Sequence, residues 1–205
     1  MTLRTLASML AFLVLAACGD KPAGTSEQMM LTPAATAFKN TDITGLDWGR
    51  DFALTDHNGK PRTLADFNGK AVVMFFGYTH CPDVCPTTMA EMAAVMKELG
   101  PLSDRVQVLF VTVDPERDTA AILSKYVPAF DPRFLGLIGD KDATTKVAKE
   151  FKIVYQKSPG KTPGSYTMDH TSASYAFDPQ GRIRLYLRHG QGAAPIVHDL
   201  KILLS

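Results

Sequence analysis

Three short, almost uninterrupted apolar runs recur along the chain, and each is followed by a segment whose apolar residues have helical spacing. Apolar runs of this length are typical of strands buried on both faces of a sheet. Strands that alternate with helices predict an α/β fold, with a central, mostly parallel sheet and helices on both of its faces. The runs are residues 71–78, 106–114 and 133–139, and the predicted helices are residues 86–99, 118–127 and 143–151.

Two antiparallel hairpins are predicted on either side of this alternating region. In residues 51–64, apolar strand residues flank a His-Asn-Gly turn at 57–59, a combination that favours an N-terminal hairpin. Residues 172–189 surround the turn DPQG at 178–181 and predict a closing hairpin. A last amphipathic helix is expected from about residue 194 to the end of the chain.

The first residues have the layout of a secretory signal. Arg4 precedes an apolar run that is too short to span a bilayer, and small residues follow it up to Cys18. The segment LAAC at 15–18 resembles the lipobox of bacterial lipoproteins, in which the cysteine is lipidated; the alternative is a plain signal peptide cut near Ala17. We expect residues 1–17 to be a lipoprotein signal peptide, residues 18–44 a flexible tether and residues 45–205 the folded domain.

Charge and cysteine content exclude some classes of function. Loss of residues 1–17 removes Arg4, so that the 22 basic residues become 21 and balance the 21 acidic ones. No basic patch stands out, and we expect no nucleic-acid partner. If Cys18 carries lipid, only Cys81 and Cys85 can pair within the chain, which is too few for a disulfide framework.

The segment GYTHCPDVCP at residues 77–86 directly follows the first buried strand, at the sheet edge where α/β proteins place their chemistry. Proline favours the first helical position, so we expect a helix to begin at Pro86 with Cys85 as its N-cap. The helix start would lower the pKa of a nearby thiol. The spacing of Cys81 and Cys85 suits a disulfide or two sulfur ligands on one metal, and an inert buried pair is the alternative.

Two thiolates need a third ligand to complete a metal site. Four of the five histidines have ordinary explanations. His57 lies in a solvated turn, and the side chain of His80 is expected to point away from the neighbouring cysteine. Surface or packing positions suffice for His189 and His198. In thioredoxin-like folds, the loop before the closing hairpin faces the cysteine loop, and His170 lies in that loop here. Two sulfurs and one imidazole suit Cu(I) better than zinc, which usually takes four ligands.

Four segments, taken in order, resemble the Sco/SenC family of thioredoxin-like copper chaperones for cytochrome oxidase assembly. They are FxLxDxxG at 52–59, FGYTHCPDVCP at 76–86, VDPERDT at 113–119 and Asp-His at 169–170. The resemblance implies that Cys81, Cys85 and His170 bind copper and that the cysteines cycle between dithiol and disulfide. Ala120 departs from the family, which often has proline there.

The same resemblance gives Asp114 a role near the copper site or in partner contact. The alternative is that Asp114 is a turn residue before Pro115 and that Asp118 caps the next helix. Both interpretations stay open at the level of sequence.

The function that we expect is a copper-binding chaperone, held by lipid on Cys18 at the periplasmic side of a bacterial membrane. It would carry one copper, as Cu(I) and/or Cu(II), from an upstream donor to the copper-accepting subunit of cytochrome c oxidase and its dinuclear CuA centre. The alternative is a thiol–disulfide oxidoreductase that reduces the acceptor cysteines before copper loading. Ligand exchange needs no bond-making turnover, so a conventional enzyme is not expected.

Overall fold

The computed structural model describes residues 38–205. The predicted signal peptide, the lipidation of Cys18 and residues 18–37 of the predicted tether lie outside these residues and stay predictions. Among the described residues, no helix has the length and apolarity needed to cross a membrane.

The described chain forms ten strands and four α-helices. The strands are β1 (Thr41–Asp42), β2 (Leu54–Asp56), β3 (Pro61–Arg62), β4 (Ala71–Gly77), β5 (Val106–Thr112), β6 (Leu135–Ile138), β7 (Tyr155–Pro159), β8 (Tyr166–His170), β9 (Ser174–Phe177) and β10 (Ile183–Leu187). The helices are α1 (Val84–Leu99), α2 (Ala120–Tyr126), α3 (Lys141–Glu150) and α4 (Ala193–Leu204). All three predicted buried strands, both predicted hairpins and the last helix are present.

Eight of the described strands form one sheet in the order β1-β10-β9-β4-β5-β6-β2-β3. The central strands β4, β5 and β6 are parallel to one another. On one side β9, β10 and β1 add antiparallel strands, and on the other side the hairpin β2–β3 does so. The predicted thioredoxin-like α/β fold is thus confirmed, with its parallel part confined to three central strands.

Neighbouring residues of a strand point to opposite faces of the sheet, and both faces are covered. On one face, Phe75 packs on Phe110, which packs on Tyr126 at the end of α2. On the other face, Phe76 packs on Phe151, which directly follows α3. Every residue of β4 and β5 is buried, so the two runs that first indicated the fold form its core.

The folded region begins earlier than the predicted boundary at residue 45. Thr41 pairs with Tyr186 in β1–β10. The backbone N–H groups of Lys39 and Asn40 donate to the Asp199 carboxylate at 2.8 and 2.7 Å. Residues 39–42 therefore belong to the domain and not to the tether, since a buried carboxylate on α4 binds them; the sequence carries no local sign of this distant partner.

A second, two-stranded sheet of β7 and β8 was not predicted. Tyr155 pairs with His170 at its base, and Pro159 with Tyr166 at its far end. The segment around His170 is therefore a strand, and the prediction of a loop there was wrong. Polar residues fill much of β7, so it lacks the apolar alternation that indicates a half-buried strand.

Candidate metal centre

The cysteine loop joins the end of β4 to the start of α1. Helix α1 begins at Val84 with Asp83 as its N-cap, so Cys85 lies in the first turn and is not the predicted cap. The Cys85 side chain is buried, whereas Cys81 is half-buried. A Cβ atom at Gly77 would lie 2.9 Å from the Cys85 Sγ atom, so the end of β4 needs a glycine to let the sulfur approach.

The two thiols are free and close together. The backbone N–H of Cys85 donates to the Sγ atom of Cys81 at 3.4 Å. Burial, with a smaller contribution from the Cys81 sulfur, raises the pKa of the Cys85 thiol. We expected the helix start to lower a thiol pKa here; for Cys85 this was wrong, because removal from water opposes the charged form more strongly than the helix end favours it.

His170 ends β8 and faces the buried cysteine. Its Nε2 atom lies 3.7 Å from the Sγ atom of Cys85. Its Nδ1 atom lies 3.0 Å from the carbonyl oxygen of Thr171, which can only accept, so Nδ1 carries the proton and Nε2 turns its lone pair towards the sulfur. Burial lowers the pKa of His170 and so favours the neutral imidazole that can bind a metal.

Cys81, Cys85 and His170 are neighbours without forming a complete ligand set. Within residues 38–205, no three or more His, Cys, Asp or Glu side chains are already arranged to hold a metal ion. Cys85 and His170 face each other, but the Cys81 sulfur is engaged by the Cys85 backbone. A sulfur that accepts one N–H bond keeps lone pairs for a metal, so this contact does not exclude Cys81 as a ligand. The donors themselves, two sulfurs and one imidazole, fit a soft ion such as Cu(I).

Asp118 holds the cysteine loop, a role that was not predicted. Its buried carboxylate accepts the backbone N–H of Thr79 at 3.0 Å and the Thr79 hydroxyl at 2.6 Å. It also accepts the hydroxyl of Thr112, at the end of β5, at 2.6 Å. The alternative interpretation, in which Asp118 caps α2, does not hold, because Thr119 is the N-cap and accepts from the N–H of Ile122.

Asp114 is buried at the end of β5 and binds two side chains near the cysteines. Its Oδ2 atom accepts the Nε–H of Arg117, and its Oδ1 atom accepts the Tyr166 hydroxyl at 2.9 Å. Arg117 also lies over the ring of Tyr78, at 5.7 Å, and that ring packs nearly perpendicular to the imidazole of His170. These contacts link Asp114 to β8, and within the described residues its carboxylate makes no hydrogen bond to either sulfur or to the His170 imidazole.

The other four histidines have hydrogen-bond partners other than the two thiols, and His57 is not simply solvated. Its Nδ1 atom accepts the backbone N–H of Gly136 at 3.0 Å and so ties the β2–β3 turn to β6. His80 is exposed, with its ring directed to Thr79 and Asp118. The remaining two bind polar side chains elsewhere in the domain and are His189 and His198.

Comparison with known proteins assigns this arrangement to a family. The SCO1/SenC family model matches residues 40–205. The mitochondrial SCO2 homologue of Mus musculus is 39% identical over 153 residues, which are 74% of this chain and 60% of the mouse protein. The human SCO2 homologue is 38% identical over 153 residues, 74% of this chain and 58% of that protein. The chain thus spans about 60% of the length of these curated relatives.

Solved structures agree with this assignment. Bradyrhizobium japonicum ScoI, solved with copper bound, is 42% identical, with a TM-score of 0.69 over 75% of this chain and 98% of that one. Yeast Sco1, also solved with copper bound, is 30% identical, with a TM-score of 0.67 over 74% of this chain and 85% of that one. From its sequence, its fold and its cysteine loop, this chain belongs to the SCO1/SenC family.

Proposed function

We propose that this protein carries one copper ion per chain, as Cu(I) and/or Cu(II), on Cys81, Cys85 and His170. The observation that carries the proposal is the 3.7 Å approach of the His170 Nε2 atom to the Cys85 sulfur, with Cys81 on the same loop. Two thiolates and a neutral imidazole are ligands that copper prefers. Relatives at 42% and 30% identity have been solved with copper bound, which supports copper as the cargo.

We further propose delivery to the copper-accepting subunit of cytochrome c oxidase, at its CuA centre. Copper held by three ligands keeps an open side, and the half-buried Cys81 lies at the solvent side of the buried Cys85. Acceptor thiolates can therefore displace Cys81 first and the deeper ligands afterwards. Each displaced sulfur is replaced by another, so the ion keeps its soft ligands and no electron has to move.

The location that fits this role is the periplasmic side of a bacterial membrane. We propose that residues 1–17 are removed, that lipid on Cys18 anchors the chain, and that residues 18–37 lead to the domain. A Bacillus anthracis protein of the same family, 27% identical, is described as a lipoprotein, which supports this proposal. An upstream copper donor is also required, and nucleic acid is not a partner that we propose.

The second candidate is a thiol–disulfide reductase that prepares the acceptor cysteines. The unequal exposure of the two thiols favours it, because a half-buried Cys81 can attack a disulfide while Cys85 resolves the mixed disulfide. Cys81 and Cys85 would each lose a proton, and these two protons would go to the two acceptor cysteines, which leave as thiols while the pair in this chain becomes a disulfide. Burial raises the pKa of Cys85, which slows the resolving step.

Anaerobic titration of the reduced chain with Cu(I), and then with Cu(II), tests the proposed function. The chain should begin at residue 18 and carry Cys18→Ser, so that its only thiols are Cys81 and Cys85. We expect one tightly held copper per chain, with sulfur-to-copper charge-transfer bands for Cu(II). Weak or nonstoichiometric binding, together with rapid disulfide exchange, would contradict the chaperone role and support the reductase.

A further inference from the structure

The hairpin β7–β8 carries His170, but it is not part of the main sheet. In residues 38–205, β7 and β8 pair only with each other. An isolated two-stranded hairpin is marginally stable in water, so its position depends on side-chain contacts with the rest of the domain. The position of His170 relative to the cysteines therefore depends on what anchors this hairpin.

Tyr166, the first residue of β8, is one anchor point of the hairpin. Its hydroxyl donates to the Oδ1 atom of Asp114 at 2.9 Å. Its carbonyl oxygen accepts from the Nη1 atom of Arg117 at 2.9 Å. The Arg117 guanidinium also lies over the Tyr166 ring, 3.6 Å from its centroid. Arg117 and Asp114, joined by an ion pair, thus hold the ring, the hydroxyl and the backbone of one residue.

The anchor and the imidazole are coupled along the strand. Tyr166 and His170 are four residues apart in β8 and lie on the same face of it, because side chains alternate with a period of two. Arg117 also lies over the ring of Tyr78, and that ring packs against the imidazole of His170. Movement of Arg117 would therefore be transmitted to the imidazole by two routes.

The same turn also holds the cysteines. Asp118 directly follows Arg117 and binds Thr79 in the cysteine loop, as described above. The two halves of the site, one with sulfur and one with nitrogen, are therefore attached to one turn at residues 114–118. The distance between the cysteine loop and His170 therefore depends on this turn.

Arg117 is not placed for stability alone. Its Nη2 atom is buried and has no hydrogen-bond partner among the described residues. Leaving a buried donor of a charged group without a partner is unfavourable, and such groups in native structures call for an explanation. In this unfavourable position the Arg117 guanidinium lies over the rings of both Tyr166 and Tyr78.

We propose that Arg117 is a positioning residue, which fixes the imidazole of His170 opposite the Cys85 sulfur by anchoring Tyr166 and Tyr78. The proposal rests on the proposed function, since it treats His170 as a copper ligand. It adds a residue that does not touch copper and acts through the hairpin and through the Tyr78 ring.

The test compares Arg117→Gln, Arg117→Lys and Tyr166→Phe with Arg62→Gln, all in the Cys18→Ser chain from residue 18. Arg62 is a matched control, because it pairs with a buried aspartate, Asp56, and lies over an aromatic ring, that of Phe67. Tyr166→Phe removes a single hydroxyl, so it keeps the test valid if Arg117→Gln does not fold. Hydrogen exchange of residues 155–170 and the NOE between the His170 and Tyr78 rings are measured without copper, and copper affinity is measured separately.

We expect Arg117→Gln to increase exchange in residues 155–170 but not in β4 or β5, and to weaken the NOE. Copper affinity should fall by about 10- to 100-fold, as for other residues that orient a ligand. Arg117→Lys should lose less copper affinity than Arg117→Gln. Tyr166→Phe should also increase exchange, weaken the NOE and lower copper affinity. Arg62→Gln should change none of these three readouts.

A double-mutant cycle separates positioning from general weakening. If Arg117 acts through His170, then Arg117→Gln should lower copper affinity much less in a His170→Ala background. Equal losses in both backgrounds, or an unchanged hairpin in Arg117→Gln, would overturn the proposal. If the unaltered chain fails to bind copper, the proposed function fails, while exchange and NOE still decide whether Arg117 positions His170.

Discussion

The Sγ atom of Cys85 and the Nε2 atom of His170 lie 3.7 Å apart, although the two residues are 85 positions apart in the chain. One belongs to the first turn of α1 and the other ends β8. The approach brings a buried thiol and a neutral imidazole together beside a second, more accessible thiol. This relationship supports the proposed copper site and leads to the first prediction.

His170→Ala should lower copper affinity by more than about 100-fold, beyond the loss typical of residues that only orient a ligand. It should leave thiol–disulfide exchange by Cys81 and Cys85 nearly unchanged, because the imidazole is not needed for sulfur chemistry. Competition with a Cu(I) chelator and exchange with a small disulfide measure the two properties. His80→Ala is the control, since His80 neighbours Cys81 but its ring faces Asp118; unchanged copper binding in His170→Ala would remove His170 from the site.

The two thiols should react at different rates with iodoacetamide in the reduced protein. Burial raises the pKa of Cys85, and the thiolate fraction falls about tenfold for each unit by which a thiol pKa rises. Cys81, which is half-buried, should therefore be modified first, by at least about tenfold in rate. Mass spectrometry of the two peptides over time measures this, with urea-unfolded chain as the reference at which the rates converge; equal rates in the folded chain would contradict the described burial.

Gly77→Ala should destabilise the domain by about 1–3 kcal/mol, the usual effect of overpacking. The added Cβ atom would lie 2.8 Å from the Phe75 ring and 2.9 Å from the Cys85 sulfur, and it should displace the sulfur and weaken copper binding. Urea unfolding and copper titration measure the two effects.

Gly136→Ala serves as the matched control for Gly77→Ala. Gly136 is also a strand glycine, and its added Cβ would crowd Leu123 and Val127 at 3.1 Å. We expect a smaller destabilisation and no change in copper affinity, because contacts of 3.1 Å need less displacement than those of 2.8 Å and the crowded residues lie outside the cysteine loop. A Gly77→Ala protein with normal copper affinity would show that the sulfur has more space than described.

The free energy of unfolding should decrease as the pH falls below about 4, the pKa range of unfolded aspartate. Burial acts to raise the pKa of Asp199, but hydrogen bonds from His198, Lys39 and Asn40 together outweigh it and lower the pKa. A lowered folded-state pKa stabilises the fold above the unfolded value, and this stabilisation is lost as the carboxylate takes up a proton. Asp199→Asn should therefore be less stable than the parent at pH 6, with a difference that narrows towards pH 3.

Urea unfolding at a series of pH values checks this expectation. Asp47→Asn is the control, because Asp47 is exposed and its removal should not alter the pH dependence. A difference between Asp199→Asn and the parent that stays constant down to pH 3 would show that Asp199 does not gain its stability through ionisation.

The central part of the fold could be predicted because its signals are local. The runs that became β4 and β5 are buried along their whole length, so their apolar composition already indicated strands in the middle of a sheet. Periodic apolar residues likewise predicted α1. The helix begins at Val84, two residues before the predicted start, and Pro86 is accommodated within its first turn, where the missing N–H removes no intrahelical bond.

The hairpin β7–β8 could not be predicted, because the contacts that stabilise it are not local in the sequence. Lys157 and Ser158 interrupt any apolar alternation in β7, and Pro159 ends it. Met168 is the one fully buried residue of β8. The hairpin forms because its side chains meet Asp114 and Arg117, which are about 50 positions away.

The sequence determines the chemical identity of the candidate ligands, because the two closely spaced cysteines and the histidine before the closing hairpin can be read from it directly. It does not carry the distances between them. Those follow from Asp118, which binds the cysteine loop, and from Arg117, which anchors the histidine hairpin. Such contacts depend on the packing of residues that are remote in the chain, and no local pattern encodes them.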